Sequence, residues 1–214
     1  MNDNEKIKQV FNSQNHAENY DEKAAESNWA GPEIVFGLSY ACVKPGENLL
    51  DLGIGTGLSS VLFHKAGIHV YGMDGSESML KICAGKQIAE DLKQHDLLVT
   101  PYPYADHSMD HVVSMGVFHM FDELSFIFME VNRILKSGGF FAFCVMDYGG
   151  KEDRKVMVRD KAILDKSLAI YRYNEAEIQV LLTCHGFQWI KTVGFLGMHA
   201  NQETRFKAYM AQKR

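Results

Sequence analysis

Short apolar runs alternate along this chain with stretches in which apolar residues return every three or four positions, and the alternation holds from about residue 47 to the end. That rhythm predicts strands and helices in turn, and hence a parallel sheet with helices on its faces. "ENLLDLG" predicts a buried strand, Thr56 to Ala66 a helix that stops at Gly67, and "IHVYGMD" a second strand. A helix follows from Ser76, with Glu77 suited to the positive end of the helix dipole. Leu92 to Asp96 and Met109 to Met115 predict two further strands. Asp122 stands as the cap of a helix to Lys136 that carries Leu124, Ile127, Phe128, Val131 and Leu135 on one stripe. "SGG" ends that helix, and "FFAFCVM" is the most apolar strand. Asn174 with Glu177 predicts a boxed helix start, closed by Gly186, and Phe187 to Val193 and Arg205 to Met210 complete the series as strands.

Before residue 47 the pattern is helical, with Ile34, Val35, Leu38 and Cys42 spaced on one face after Pro32, until "KPG" breaks it. Residues 1–46 therefore read as a helical cap and 47–214 as the core of a single globular domain. The charged stretch 149–173 is compatible with helix. It is either a solvated surface helix or a lid over the carboxyl ends of the strands, where α/β sheets hold ligands.

Composition narrows the class of partner. With 214 residues, 46% of them hydrophobic, the chain can bury one ordinary core. Its formal charge of -5 gives no broad basic footprint, so no nucleic-acid partner is expected. No apolar run is long enough to span a bilayer, and no membrane partner is expected. The four cysteines form no C-x-x-C pair, which suits small buried thiols in a reducing, cytoplasmic compartment. His107 and His111, with Asp106 and Asp110, invite a metal reading, but they fall where a loop enters a strand, and no metal is expected.

The chemistry concentrates in "LLDLGIGTGLSS", residues 49 to 60. A strand ending in Asp51 is followed by Gly53, Gly55 and Gly57, which let the chain bend sharply and bring bare backbone to a ligand. With Thr56 opening a helix, free N–H groups would face the same space. The dinucleotide fingerprint needs a third glycine at 58, where this chain has leucine. Asp74 closes the second strand where an acid can accept hydrogen bonds from two ribose hydroxyls.

The G-x-G-x-G spacing resembles the first motif of class I S-adenosylmethionine-dependent methyltransferases, and "QHDLL", "YPYADHSMDHVVSMGVFHMFD" and "EVNRILKSGGFFAF" resemble that family's later segments. The likeness covers roughly residues 45 to 147. It implies a doubly wound, mostly parallel seven-stranded sheet with N-terminal helices. It also implies S-adenosylmethionine as cofactor and S-adenosylhomocysteine as product, on a monomer or homodimer. Asp51, Gly53, Gly55, Thr56 and Gly57 would meet the methionine part, Asp74 and Gly75 the ribose, and Asp96 and Leu97 the adenine, with Met115 beside them. "HAENYDEKA" is similar to the family's Tyr-Asp segment, which places Tyr20 at the methionine end. His119 and His199 are the candidate bases, and Tyr148 a candidate lining of the acceptor pocket. The absence of an Asn/Asp-Pro-Pro-Tyr run after the fourth strand speaks against DNA or RNA adenine as acceptor and for a small molecule. The alternatives are a protein or RNA acceptor, a cofactor-binding protein without catalysis, and an NAD-dependent oxidoreductase.

Overall fold

The computed structural model describes residues 5, 7, 10–148, 153–159, 167–199 and 202–214. Seven strands form one sheet: β1 (Asn48–Leu52), β2 (His69–Asp74), β3 (Asp91–Gln94), β4 (Met109–Ser114), β5 (Leu135–Met146), β8 (Phe187–His199) and β9 (Gln202–Lys213). Their order is β3-β2-β1-β4-β5-β9-β8. The neighbours from β3 to β5 are parallel, and β9 runs antiparallel between β5 and β8. The strand order reverses at β1 and β4, so a crevice opens beyond their carboxyl ends.

Helices cover both faces. On one, α6 (Ser125–Ile134) and α7 (Glu175–Cys184) bury Ile127, Phe128, Val131, Ile178 and Leu182. Phe128 meets Phe141 and Phe143 with ring centroids 5.2 and 5.3 Å apart, nearly edge to face. On the other face lie α3 (Gly31–Ser39), α4 (Ser60–Lys65) and α5 (Glu77–Gly85), whose Val35, Phe63 and Cys83 pack with Leu49, Val70 and Val113 of the sheet. The short helices α1 (Gln14–Glu18) and α2 (Tyr20–Glu26) lie before α3 in the chain.

The box at α7 forms as its sequence predicts: the Asn174 side chain accepts from Glu177 N–H at 2.9 Å, and the Glu177 carboxylate accepts from Asn174 N–H at 2.8 Å. Asn174→Ala is expected to lower stability by about 1 kcal/mol in denaturant unfolding.

Three local expectations are corrected. The helix after the glycine loop begins at Ser60, not Thr56, because Gly57 sits at φ +83°, outside the right-handed helical region. Asp122 caps nothing; α6 starts at Ser125, whose N–H is taken by the Glu123 carboxylate at 2.8 Å, and Asp122 pairs with Arg154. The stretch 149–173 is not helical where it is described. It forms an antiparallel pair, β6 (Lys155–Arg159) and β7 (Ser167–Tyr171). The period there is two, since Val156 and Val158 are half-buried while Lys155 and Met157 are exposed. Residues 149–152 and 160–166 of this stretch lie outside the described residues.

Candidate functional site

The bend after β1 is built by backbone. Gly53 and Ile54 both donate to the Met73 carbonyl, at 2.8 and 3.1 Å, which ties the loop to β2. Gly53 has φ +72°, and a Cβ there would come within 2.5 Å of Val117 Cγ2. Only glycine satisfies both the angle and the close approach. Asp74 then joins the two strand tips: its Oδ2 accepts Gly55 N–H at 2.9 Å and its Oδ1 accepts Ser76 N–H at 2.8 Å. Ser76 in turn caps α5 through Met79 N–H at 3.1 Å. The carboxylate is thus a strut whose second lone pairs remain to face a ligand.

Beyond this strut lies a cleft that opens to solvent. Tyr20, Gly53, Gly55, Asp74, Gly75, Asp96, Leu97 and Met115, all singled out in the sequence, line it. The Asp96 Oδ1 accepts Leu98 N–H at 2.9 Å, and Leu97 is buried beside it. Burial raises the Asp74 carboxyl above its ordinary value, against the lowering effect of its two amide bonds. Burial, with the charges of Asp74 and Asp21, pushes the Tyr20 phenol up to about 12, so it stays neutral and a hydrogen-bond donor.

Other predicted site residues lie elsewhere. Asp51 is buried below the bend and does not line the cleft; its Oδ2 accepts the Ser60 hydroxyl at 2.8 Å, and its Oδ1 has no hydrogen-bond partner. Thr56 turns its hydroxyl to Asp21, and a Cβ on Gly57 would meet Ile88 and Cys83, so neither contacts the cleft. Thr56 does not open a helix, so the expected helix start beside the ligand is replaced by Gly55 N–H, already spent on Asp74. His119 sits in the 3-10 turn Phe118–Met120, buried edge-on to Phe206, and does not line the cleft. His199 ends β8, and its side chain lies outside the described residues. The Tyr148 hydroxyl accepts from the Asn174 amide at 3.4 Å instead of lining the cleft.

The lining also includes Ile7, Phe11, Ser76, Met79, Gly116, Val117, Met120 and Phe121. The cap signature of "SESML" and the apolar turn "MGVF" after β4 could have pointed to four of these. Nothing local marks Ile7 or Phe11, which reach the cleft from the far end of the chain. Among the described residues the lining holds two acids and no lysine, arginine or histidine. With the loop amide occupied by a carboxylate, this set suits a cationic, hydroxyl-bearing ligand far better than a pyrophosphate.

Residues 50–143 match the family model of the methyltransferase domain. Over that segment the chain is similar to methyltransferase domains, and its fold is that of solved S-adenosylmethionine-dependent methyltransferases. The chain is 27% identical over 178 residues to phosphoethanolamine N-methyltransferase 2 of Caenorhabditis elegans, across 80% of its own length and 38% of the relative's. It is 29% identical over 137 residues to malonyl-[acyl-carrier protein] O-methyltransferase of Serratia marcescens, across 64% and 52% of the two chains. The chain thus spans about 40 to 50% of the length of these curated relatives. Its fold matches magnesium protoporphyrin IX methyltransferase from Synechocystis PCC 6803, crystallised with S-adenosylmethionine, at a TM-score of 0.70 and 18% identity, covering 100% of this chain and 98% of that one. Among the described residues no helix is long and apolar enough to cross a membrane.

Proposed function

We propose that the chain binds S-adenosylmethionine in this cleft and transfers its methyl group to a small-molecule acceptor. The observation that carries the reading is Asp74, fastened by both oxygens to the glycine loop and the start of α5, and so held rigid for two ribose hydroxyls. Asp96 and Leu97 would hold the adenine, and the glycine bend, Tyr20 and Met115 the methionine end. The bound cofactor supplies an activated methyl on a sulfonium. The chain's part is alignment and exclusion of water, which the apolar wall of Phe11, Val117, Met120 and Phe121 performs. A base is needed only for a nucleophile that arrives protonated, so this reading does not depend on His119 or His199.

The curated relatives named above act, by their names, on small or carrier-bound molecules, which supports the same acceptor class here. The hairpin β6–β7 is proposed as the acceptor-side cover, because the Tyr173 hydroxyl just after it donates to the carbonyl of cleft-lining Phe121. A cytoplasmic monomer or homodimer without a nucleic-acid partner fits the four free cysteines and the acidic charge balance.

Calorimetric titration separates this reading from the alternatives. S-adenosylmethionine and S-adenosylhomocysteine are expected to bind in the micromolar range and NAD not at all. Preference for NAD would establish an oxidoreductase, and tight binding without acceptor-dependent release of S-adenosylhomocysteine a non-catalytic binder.

A further inference from the structure

Tyr20 opens α2 and lines the cleft, while the next residue turns the other way. The Asp21 Oδ1 accepts the hydroxyl of buried Thr56 at 2.5 Å, and its Oδ2 pairs with Lys86 at the end of α5. One carboxylate thus spans the glycine loop and a helix that lies 65 residues away in sequence. The other end of the cap is tied to the start of α5, where the Ser76 hydroxyl donates to the Phe11 carbonyl at 2.7 Å and the Ser78 hydroxyl to the Asn12 carbonyl at 2.9 Å. Between the two ties, the His16 ring bridges Phe11 and Tyr20, with centroids 5.2 and 5.7 Å away, both edge-on. The two aromatic side chains that the cap contributes to the cleft therefore form one packed unit, and Asp21 is its side-chain anchor.

Resting on the assignment of the cleft to S-adenosylmethionine, we propose that Asp21 is a positioning residue: it latches the cap onto Thr56 and Lys86, holds Tyr20 in the cleft wall, and slows release of cofactor and product. It touches no reacting atom. The Thr56 bond is the strong half, because a buried hydroxyl meets a charged acceptor there. The Lys86 pair is partly exposed and weaker.

The test uses the whole chain. Stopped-flow release of S-adenosylhomocysteine is compared for wild type, Asp21→Asn, Lys86→Met and Lys86→Arg, together with amide hydrogen exchange over residues 14–26 without ligand. Asp21→Asn is expected to release the product about tenfold faster, the size of one lost charge-assisted hydrogen bond. Lys86→Met should do so about threefold faster, and Lys86→Arg, which keeps the pair, should behave as wild type. Exchange over 14–26 should rise in Asp21→Asn and Lys86→Met alone. Unchanged release by variants that still bind, or unchanged exchange, overturns the latch. Failure of the wild-type chain to bind S-adenosylhomocysteine overturns the cofactor assignment instead, and the exchange arm still reads the latch. If Asp21→Asn does not fold, Lys86→Met carries the same comparison.

Discussion

Asp74→Ala lowers the affinity for S-adenosylmethionine and S-adenosylhomocysteine by about 100-fold, read by calorimetric titration on a chain that keeps its fold. The side chain does two things at once. Its oxygens hold Gly55 N–H and Ser76 N–H, at 2.9 and 2.8 Å, and so fix the curve of the glycine loop. Their remaining lone pairs face the cleft. Removing the carboxylate strands two amide donors in a half-buried wall and deletes the acceptors proposed for the ribose. Each such loss costs about 1–3 kcal/mol, of which part falls on stability and roughly 3 kcal/mol on binding. Affinity equal to wild type would show that the ribose lies elsewhere.

The second large effect concerns pH and stability. Asp51 is buried, and burial is the main cause that lifts its carboxyl from the ordinary 3.8 to about 7; the Ser60 hydroxyl pulls it back in part, and the charge of Asp74 raises it further. The folded chain therefore holds a proton here that the unfolded chain gives up. The resulting penalty is absent below pH 3.8, grows as pH rises, and is complete above about 7. Its full size is of the order of 4 kcal/mol. Urea unfolding from pH 4 to 8 should thus show wild type losing stability relative to Asp51→Asn, with most of the change before pH 7. A constant difference between the two proteins over that range would mean that Asp51 is ionised throughout in the fold.

The unpartnered Oδ1 of Asp51 explains why the acid at the strand tip misleads a reader of the sequence. The motif places an aspartate next to three glycines, and the natural inference is that both face one ligand. In the fold the bend swings over Asp51 as the chain crosses to Met73, and the Ser60 hydroxyl takes its one bonded oxygen. Thr56 and Gly57 follow the same logic. They belong to the motif, yet they serve the loop's underside, where Asp21 and the Cys83–Ile88 surface meet them.

What the sequence determined by itself was whatever rests on contacts within a few residues. The buried strands β1, β2, β4 and β5 announce themselves as apolar runs between turn residues, the Asn174 box closes on its own Glu177, and the glycine spacing sets the sharp bend. Tertiary structure alone decided the rest. It placed β9 antiparallel between β5 and β8, made the described part of 149–173 a hairpin, turned Asp51 inward, and brought Ile7, Phe11 and Tyr20 onto a cleft whose other walls come from four strand ends. The physical reason is one of range. Periodicity and capping are energies of neighbours along the chain, whereas the facing of a side chain toward a cleft or a core is set by what lies across it, and at Asp21 that partner is 35 residues away at Thr56 and 65 away at Lys86.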